Sequence, residues 1–540
     1  MRKSKLLTLI GSICLILVLA ALPFMTASPA SAEEKPTPTG PTGEFRIAMS
    51  TLETEDLGTV MGTVDVKWYQ TLIYDQLIGV EPPSIDFSTK TGIAYRWESS
   101  PDYKYWTFYL RKGIKFHNGE ELTAEDVKYT LDRALGPVGL GSNKATVVKV
   151  VDSVEMIDDY TIRIHCKGPS TMLPIYMSER IGQEAFIVPK DYIEKKGNEY
   201  FRTHPIGTGP YKLKEYMPGS YILLEAVDNH WALGVPKYKY VRLLIVPEAT
   251  ARIGLLKRGD VDMIGLPRER VKEVKAAGIP IVQDPSQTTC LLLFHETWNK
   301  DYPLSDIRVR HALNISIDRE AVFQTLFAGM GELAPWGFAT PATIGYEPAL
   351  PIYPYDPERA KALLKEAGYG PGNPCKISVY SFPRTIFAEA ERFIEVAATS
   401  WEEVGFNIKI IKVPNYETFK KKWTQHTTGG GISPNDMSGR VWGMPITNVI
   451  NHSGVCYSTA EMPELDALLD AALAAVDPEE RATLANKAYR KIYKEYLHLP
   501  LVNTPGCFAV NKETIPDWQD WHMGVIMWDF NLEWVLFPRP

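Results

Sequence analysis

Short apolar strand patterns alternate with capped amphipathic helix patterns along almost the whole chain, and this alternation constrains the fold most. Residues 45–49 alternate as a strand. Thr123 begins a Thr-Ala-Glu-Asp capping box, and Asp477-Pro478 begins an amphipathic helix that extends to about residue 496. We find no internal repeat. The pattern predicts an α/β fold in which the chain leaves one domain and later returns to it.

Other local patterns predict where strands and turns lie. Residues 106–116 have the pattern of two strand segments, and Asn118-Gly119 after them is a strong signal for a hairpin turn. The apolar run 290–294 predicts a buried strand. Two more strands are predicted at 376–380 and 408–413, on either side of a helix over 386–404, and another at 499–510.

Length and charge exclude some classes of protein. The chain has 540 residues and a formal net charge of −7, and at about 150 residues per domain this length predicts three to four domain-sized units. The acidic balance argues against a nucleic-acid partner, which would require a basic face. No apolar run after residue 30 is long enough to cross a bilayer, which excludes a multi-pass membrane protein.

The N-terminus has the features of a secretory signal. Arg2, Lys3 and Lys5 precede an apolar stretch over 6–22, and Ala30-Ser31-Ala32 supplies a small-x-small cleavage pattern. We predict a signal peptide over 1–32 and a flexible leader rich in Pro, Thr and Gly over 33–43. The apolar stretch is long, so an uncleaved membrane anchor stays open as the alternative.

Five cysteines follow the predicted signal, and they are widely separated. No two form a Cys-x-x-Cys pair, so neither a zinc ribbon nor a redox motif is indicated. A core of this size needs no disulfides, and we expect buried, unpaired cysteines. The five residues are Cys166, Cys290, Cys375, Cys456 and Cys507.

Familiar catalytic and cofactor-binding motifs are absent from the sequence. There is no Gly-x-Ser-x-Gly elbow and no phosphate-binding loop, and the run that begins at His295-Glu296 lacks the second histidine of a zinc protease. We therefore predict that the protein is not an enzyme and has no cofactor or metal. Carboxylates are plentiful, so an extracytoplasmic hydrolase of the glycosidase type, with an aromatic cleft, stays open as the alternative.

Several segments together match a known pattern in order and spacing. They are WTFYLRKGIKFHNG and LTAEDV within 106–127, HPIGTGPY at 204–211, LLKRGDVD at 255–262, residues 307–320, and YDPERAK to AGY within 355–369. From about Phe45 to the C-terminus, the chain resembles the extracytoplasmic solute-binding proteins of family 5, the peptide/nickel-binding components of ABC importers.

The resemblance implies a two-lobed periplasmic-binding-protein clamp, type II-like, with an extra subdomain in the first lobe. We expect the core of lobe I over 44–73, 204–292 and 500–540, the extra subdomain over 74–203, and lobe II over 293–499. The implied protein is secreted to the periplasm or the outer face of the cell membrane. It captures a peptide-like or other small polar solute between the lobes and delivers it to an ABC import permease. We expect a monomer without a nucleic-acid partner.

The predicted ligand loop departs from the family pattern. Peptide-binding members have a Trp-x-x-Asp segment whose aspartate holds the peptide amino terminus. Here Trp442 fits the tryptophan, but Pro445 stands in place of the aspartate, which puts ordinary peptides in doubt. Arg440 could hold a carboxylate instead, although it could equally be a solvated loop residue. The predicted ligand-binding residues are Trp442, Arg440, Asp436, Met444, Glu53 and Trp68, with Asp436 and Glu53 as the first candidates to replace the missing acid.

Overall fold

The computed structural model describes residues 40–52, 56–58, 67–80, 87–136, 144–178, 186–335, 337, 343–347, 350–384, 387–438, 450–453, 455, 457–516 and 536–537. Residues 67, 68, 144–146, 284–287, 437 and 438 are described by their backbone alone. All of these residues belong to one compact unit, Gly40–Pro540.

The described strands, in chain order, are β1 (Glu44–Met49), β2 (Gly79–Val80), β3 (Phe87–Ser88), β4 (Ala94–Ser99), β5 (Tyr105–Leu110), β6 (Val151–Asp158), β7 (Thr161–Cys166), β8 (Tyr211–Met217), β9 (Tyr221–Ala226), β10 (Tyr240–Ile245), β11 (Met263–Gly265), β12 (Ile281–Phe294), β13 (Glu332–Leu333), β14 (Cys375–Ser381), β15 (Phe406–Lys412), β16 (Ile432–Ser438) and β17 (His498–Val510).

The described α-helices are α1 (Lys67–Ile73), α2 (Ala124–Leu135), α3 (Lys144–Val150), α4 (Leu173–Tyr176), α5 (Lys190–Lys196), α6 (Asn198–Phe201), α7 (Ala249–Arg258), α8 (Val271–Ala276), α9 (Ile307–Ile315), α10 (Arg319–Thr325), α11 (Pro357–Glu366), α12 (Ala390–Glu403), α13 (Tyr416–Thr424), α14 (Pro463–Ala474) and α15 (Pro478–Lys494). Within the described part of the chain, no helix is both long and apolar enough to span a bilayer.

Helix starts follow the predicted local chemistry. The Thr123 hydroxyl accepts a hydrogen bond from the backbone N–H of Glu125, and Asp126 accepts one from the backbone N–H of Thr123 at 3.0 Å. At α15, Asp477 accepts from the backbone N–H of Glu480 at 2.8 Å, with Pro478 at the first helical position. These caps satisfy amide groups that a helix start leaves unpaired, and the predicted helix starts are confirmed.

One large sheet runs through the molecule. Among the described residues it has eleven strands, in the order β15-β14-β16-β12-β17-β11-β1-β10-β9-β8, with β13 paired to β17. In one half, β1 runs parallel to β10 and β11; in the other, β14 runs parallel to β15 and β16. The two long antiparallel strands β12 and β17 belong to both halves. We call the half with β1 lobe I and the half with β14 lobe II.

The pairing of the shared strands is interrupted where they pass between the lobes. Register between β12 and β17 shifts between Gln283 and Gln287. On one side of this irregularity β17 pairs with β11, and on the other side β12 pairs with β16. The shared strands therefore connect the two lobes, and their hydrogen-bond ladder is interrupted at this point. A β-bulge disrupts a ladder in the same way.

A separate four-stranded sheet, β4-β5-β7-β6 among the described residues, forms the extra layer in lobe I. Its inner face packs with Val127 and Leu131 of α2. The second strand predicted within 106–116 is not formed: only Lys115 makes an isolated bridge, to Glu121. Asn118-Gly119 does turn the chain, with Gly119 at a φ of 92°. Around this turn Phe116 donates a backbone hydrogen bond to Glu120 and Leu122 donates one to Ile114, but the helix that begins at Ala124 ends the pairing.

The described cysteines are Cys166, Cys290, Cys375 and Cys507, and all four are free and buried. Burial raises the pKa of Cys166 to about 12, so its thiol stays protonated and unreactive at neutral pH. The prediction of buried, unpaired cysteines is confirmed for these four; Cys456 lies outside the described residues.

Candidate functional site

A cavity of about 720 Å³ lies between the two lobes. Lobe I lines it with the residues that directly follow the parallel strands β1, β10 and β11, and lobe II with those that follow β14 and β15. Ligand sites of α/β sheets form at the carboxyl ends of parallel strands, where the backbone leaves the sheet. The lining residues are 50–52, 219, 245, 247–250, 252, 267, 269–270, 383–384, 388–389, 391–392 and 412–415.

A second cavity, of about 840 Å³, lies within lobe I alone. Its lining includes Tyr95, Tyr109, Tyr160 and Trp231. Because one lobe supplies all of these residues, lobe movement would not enclose a ligand there. The cavity between the lobes is the candidate site.

Arg268 and Glu389 form a buried ion pair at the inner wall of the candidate site. Arg268 Nη1 lies 2.8 Å from Glu389 Oε2, and the backbone N–H of Arg268 donates to Glu389 Oε1 at 2.7 Å. Both side chains are almost completely buried. Arg268 follows β11 and Glu389 precedes α12, so the pair joins the two lobes. A second ion pair joins the neighbouring residues Glu269 and Arg392.

Arg384 and Asp436 form another buried ion pair, within lobe II. Arg384 Nε donates to Asp436 Oδ1 at 2.8 Å, and the backbone N–H of Phe387 donates to Asp436 Oδ2 at 3.3 Å. Arg384 lines the cavity, but Asp436 already compensates its charge. The other arginines of the wall are also engaged: Arg252 donates to three backbone carbonyls, and Arg270 pairs with Glu273.

Three charged residues of the wall have no such partner. Glu248, Glu391 and Lys412 line the cavity, and none of them forms a side-chain hydrogen bond or ion pair with another described residue. Desolvation in the wall raises the pKa of Glu391; the ammonium of Lys412 opposes this shift, and the carboxylates of Glu395 and Glu248 add to it. The cavity thus presents a small set of charged side chains that form no ion pair with any described residue.

The lobes also meet at the rim, away from the shared strands. Lys149 Nζ of α3 lies 3.3 Å from Asp470 Oδ1 of α14, and Arg481 of α15 donates to the Thr171 hydroxyl. The other oxygen of Asp470 lies 3.1 Å from His452 Nε2. Within the described chain, no group of acidic, histidine or cysteine side chains has the arrangement of a metal site.

Most of the predicted ligand-binding residues cannot be placed. Trp442, Arg440, Met444 and Glu53 lie outside the described residues, and Trp68 is in α1, where only its backbone is described. Asp436 is described: it is buried in β16 and paired with Arg384. Of the six predicted residues, Asp436 is therefore the one whose side-chain contacts the structure describes.

Sequence reasoning missed Arg384, Glu389, Glu391 and Lys412, which line the cavity. A signal was present for two of them. Arg384 and Lys412 lie at or just beyond the ends of strands that the sequence predicts, and strand ends are where α/β sites form. Nothing in the sequence indicated which strand ends meet.

Residues 89–445 match the family described as bacterial extracellular solute-binding proteins, family 5. The chain belongs to this family. The suspected resemblance is confirmed, and so is the solute-binding role; family membership gives no support to the hydrolase alternative. Because members are described as extracellular, the family also agrees with a location outside the cytoplasm.

Individual relatives match this family-5 protein over most of its length. It is 28% identical to the dipeptide-binding protein of Escherichia coli over 454 residues, which cover 78% of this chain and 82% of that one. It is 27% identical to heme-binding protein A of Haemophilus influenzae over 462 residues, covering 80% and 82% of the two chains.

Solved structures share the fold. The Helicobacter pylori periplasmic binding protein DppA, in complex with the peptide STSA, superposes with a TM-score of 0.77 at 20% identity, covering 87% of this chain and 94% of that one. The Bacillus subtilis oligopeptide-binding protein AppA, in complex with a nonapeptide, has a TM-score of 0.77 at 21% identity, covering 92% and 98%. The predicted α/β two-lobed clamp is confirmed.

Proposed function

We propose that the protein captures a peptide-like solute in the cavity between its lobes and delivers it to an ABC import permease at the outer face of the membrane. The observation that carries the proposal is the cavity itself, built from the strand ends of both lobes of a family-5 chain. Its volume of about 720 Å³ suits a small ligand rather than a protein domain.

The relatives support the peptide-like class. Their names assign them dipeptides, oligopeptides, glutathione or heme, and three of these four ligand types contain amide bonds and free charged ends. The paired arginines and glutamates of the wall provide a polar surface, and Glu248, Glu391 and Lys412, which pair with no described residue, remain for a ligand. Binding without turnover, by a monomer that needs no cofactor, completes the proposal.

Lobe movement would take place at the shared strands. The register shift between Gln283 and Gln287 interrupts the ladder between β12 and β17, and Pro505 of β17 has no N–H to donate. We place the hinge here, inside the predicted lobe I segments 204–292 and 500–540 and a few residues before the predicted start of lobe II at residue 293. Ligand contacts that exist only in the closed form would shift the population toward closure.

The predicted ligand loop belongs to the same proposal. β16 runs parallel to β14, and residues 439–445 follow it in the chain. The loop therefore starts at the carboxyl ends of these strands, on the side of the sheet where the cavity lies. Glu53 follows Leu52, a residue of the cavity wall. We propose that Trp442, Arg440 and Met444 reach the ligand from lobe II and that Glu53 and Trp68 face it from lobe I.

Two measurements test the proposed function. Native mass spectrometry of protein purified without refolding should reveal a co-purified small solute, and random peptide libraries should bind with one-to-one stoichiometry and no product. Small-angle scattering should then show a smaller radius of gyration at saturating peptide. Release of hydrolysed products from peptides or oligosaccharides would overturn the proposal, as would an unchanged radius on saturation.

A further inference from the structure

The unpaired charges of the cavity carry an inference that deepens the proposed function and rests on it. Each arginine of the wall is engaged: Arg252 by backbone carbonyls, Arg270 by Glu273, Arg384 by Asp436 and Arg392 by Glu269. Of the cationic side chains in the described wall, Lys412 alone forms neither a hydrogen bond nor an ion pair. An anionic group of a ligand could pair with it without breaking an existing contact.

The acidic residues of the wall can likewise be separated into those that are paired and those that are not. Glu389 is held by Arg268, and Glu269 by Arg392. Asp436, which with Glu53 is one of the two first candidates to replace the acid missing at Pro445, is buried and held by Arg384. Among the acidic residues of the described wall, Glu391 and Glu248 remain, and both are exposed. A cationic group of a ligand would therefore meet one or both of these carboxylates.

The positions of Glu391 and Lys412 make them neighbours. Lys412 ends β15, and Glu391 lies in the first turn of α12, the helix whose C-terminal end leads into β15 and which packs against it. The two charges influence each other across the cavity wall but do not form an ion pair. Desolvation is the largest influence on Glu391 and raises its pKa, because removal of water disfavours the charged carboxylate; Lys412 opposes this shift.

We propose that Lys412 and Glu391 bind the two charged groups of a zwitterionic ligand. Lys412 holds its carboxylate, and Glu391 holds its ammonium group. Glu248 faces this pair from lobe I. Its carboxylate adds to the electrostatic repulsion on Glu391, and a ligand ammonium between the two glutamates replaces that repulsion with attraction from both lobes. Binding of the cation thereby favours closure.

The assignment accounts for the departure of the ligand loop from the family pattern. Pro445 cannot pair with an amino terminus, and in this chain a glutamate at the start of α12 takes over that role. The site is then specific for ligands that carry both charges, and blocking either end of a peptide should weaken binding by about 10-fold or more, as for a charge-assisted contact that is lost.

The test uses four libraries of random tripeptides: unmodified, N-acetylated, C-amidated, and modified at both ends. Affinity is measured by calorimetry for the wild type and for Lys412→Met and Glu391→Gln. We expect Lys412→Met to lose the preference for a free carboxylate and keep that for a free amine. Glu391→Gln should show the opposite pattern. Lys409→Met, on the same strand, and Glu403→Gln, at the other end of α12, are matched exposed controls that should keep both preferences.

The outcomes separate this inference from the proposed function. Equal affinity of the wild type for all four libraries would overturn the inference while the peptide assignment stands. Preferences that survive in both variants would do the same. No binding of any library would overturn the peptide assignment, and with it the inference. Melting temperatures of the ligand-free variants, expected to match the wild type because both side chains are exposed, verify that each variant is folded.

Discussion

Arg268 and Glu389, which are 121 residues apart in sequence, form an ion pair with almost no exposure to solvent between the two lobes. Arg268 Nε also donates to the carbonyl of Pro505 in β17, at 3.0 Å. One guanidinium thus connects a lobe I turn, the start of a lobe II helix and a strand that both lobes share. This connection holds the inner end of the cavity together, close to the hinge that we propose.

The first prediction concerns this ion pair. Glu389→Ala leaves the Arg268 charge buried without its partner, and we expect the free energy of unfolding to fall by about 3–5 kcal/mol. The double variant Arg268→Met/Glu389→Leu should recover part of that loss, since neither charge is then buried. Denaturant unfolding measures both. As a control, Lys128→Ala removes an exposed pair with Asp132 and should cost less than about 1 kcal/mol. A loss for Glu389→Ala no larger than the control's would contradict the prediction.

The second prediction concerns acid sensitivity. Burial lowers the pKa of His117 to about 4 and the pKa values of His295 and His498 to about 3, whereas an unfolded histidine titrates near 6.5. The unfolded state therefore binds more protons between these values. The histidines' stabilisation is fully present above pH ~6.5 and is lost as the pH falls, at about 1 kcal/mol per pH unit for each.

Unfolding measured from pH 7 to pH 4.5 should reveal this slope. His117→Gln should reduce it, because Gln does not titrate, and the exposed His204→Gln should leave it unchanged. His117 is a suitable choice because its Nε2 lies 2.9 Å from the carbonyl oxygen of Gly209, a contact that a glutamine amide can imitate. An identical slope in His117→Gln and the wild type would show that this histidine is not kept neutral by burial.

The third prediction concerns the rim. Lys149→Met removes the ion pair with Asp470 that joins the lobes away from the hinge. Because the pair is partly exposed, we expect only a modest effect: ligand release faster by up to about fivefold, equivalent to about 1 kcal/mol. Stopped-flow dissociation of a bound tripeptide measures it, and Lys128→Met serves as the control for loss of a lysine within lobe I. Unchanged release would exclude the rim pair from the closed state.

The fourth prediction concerns Trp442 and Arg440. If the loop after β16 reaches the cavity, Trp442→Ala and Arg440→Ala should each weaken ligand binding by about 30-fold, equivalent to about 2 kcal/mol. Without ligand, the melting temperature should equal that of the wild type, and most of the ligand-induced rise should disappear. A lower melting temperature without ligand, with undiminished affinity, would make Trp442 a packing residue and remove the loop from the site.

Much of the local structure could be predicted from the sequence. The capping box at Thr123 and the Asp477-Pro478 start depend on hydrogen bonds between residues two or three apart, so their pattern is visible in the printed chain. The family resemblance could also be recognised from the sequence, because it depends on motifs that occur in a fixed order. The second strand expected within 106–116 is reduced to a short pairing of residues 114–116 with residues 120–122, because α2 begins directly afterwards at Ala124.

The candidate site was largely beyond the sequence. The five motif segments lie mostly in structural elements, while the wall of the cavity is made of single residues at strand ends, such as Arg384, Glu391 and Lys412. Asp436 was a reasonable choice from its position before the ligand loop. Only its contact with Arg384 identifies it as a residue whose charge is already compensated.

The sequence by itself determined the helix starts, most strands and the family to which the chain belongs, because each depends on local hydrogen bonds, periodicity or ordered motifs. Tertiary structure decided which charges remain available to a ligand. That choice depends on pairs such as Arg268 with Glu389, and on strands such as β12 and β17, whose paired residues lie more than 200 positions apart. Sheet order and long-range pairing bring these groups together, and no spacing along the chain encodes which of them will meet.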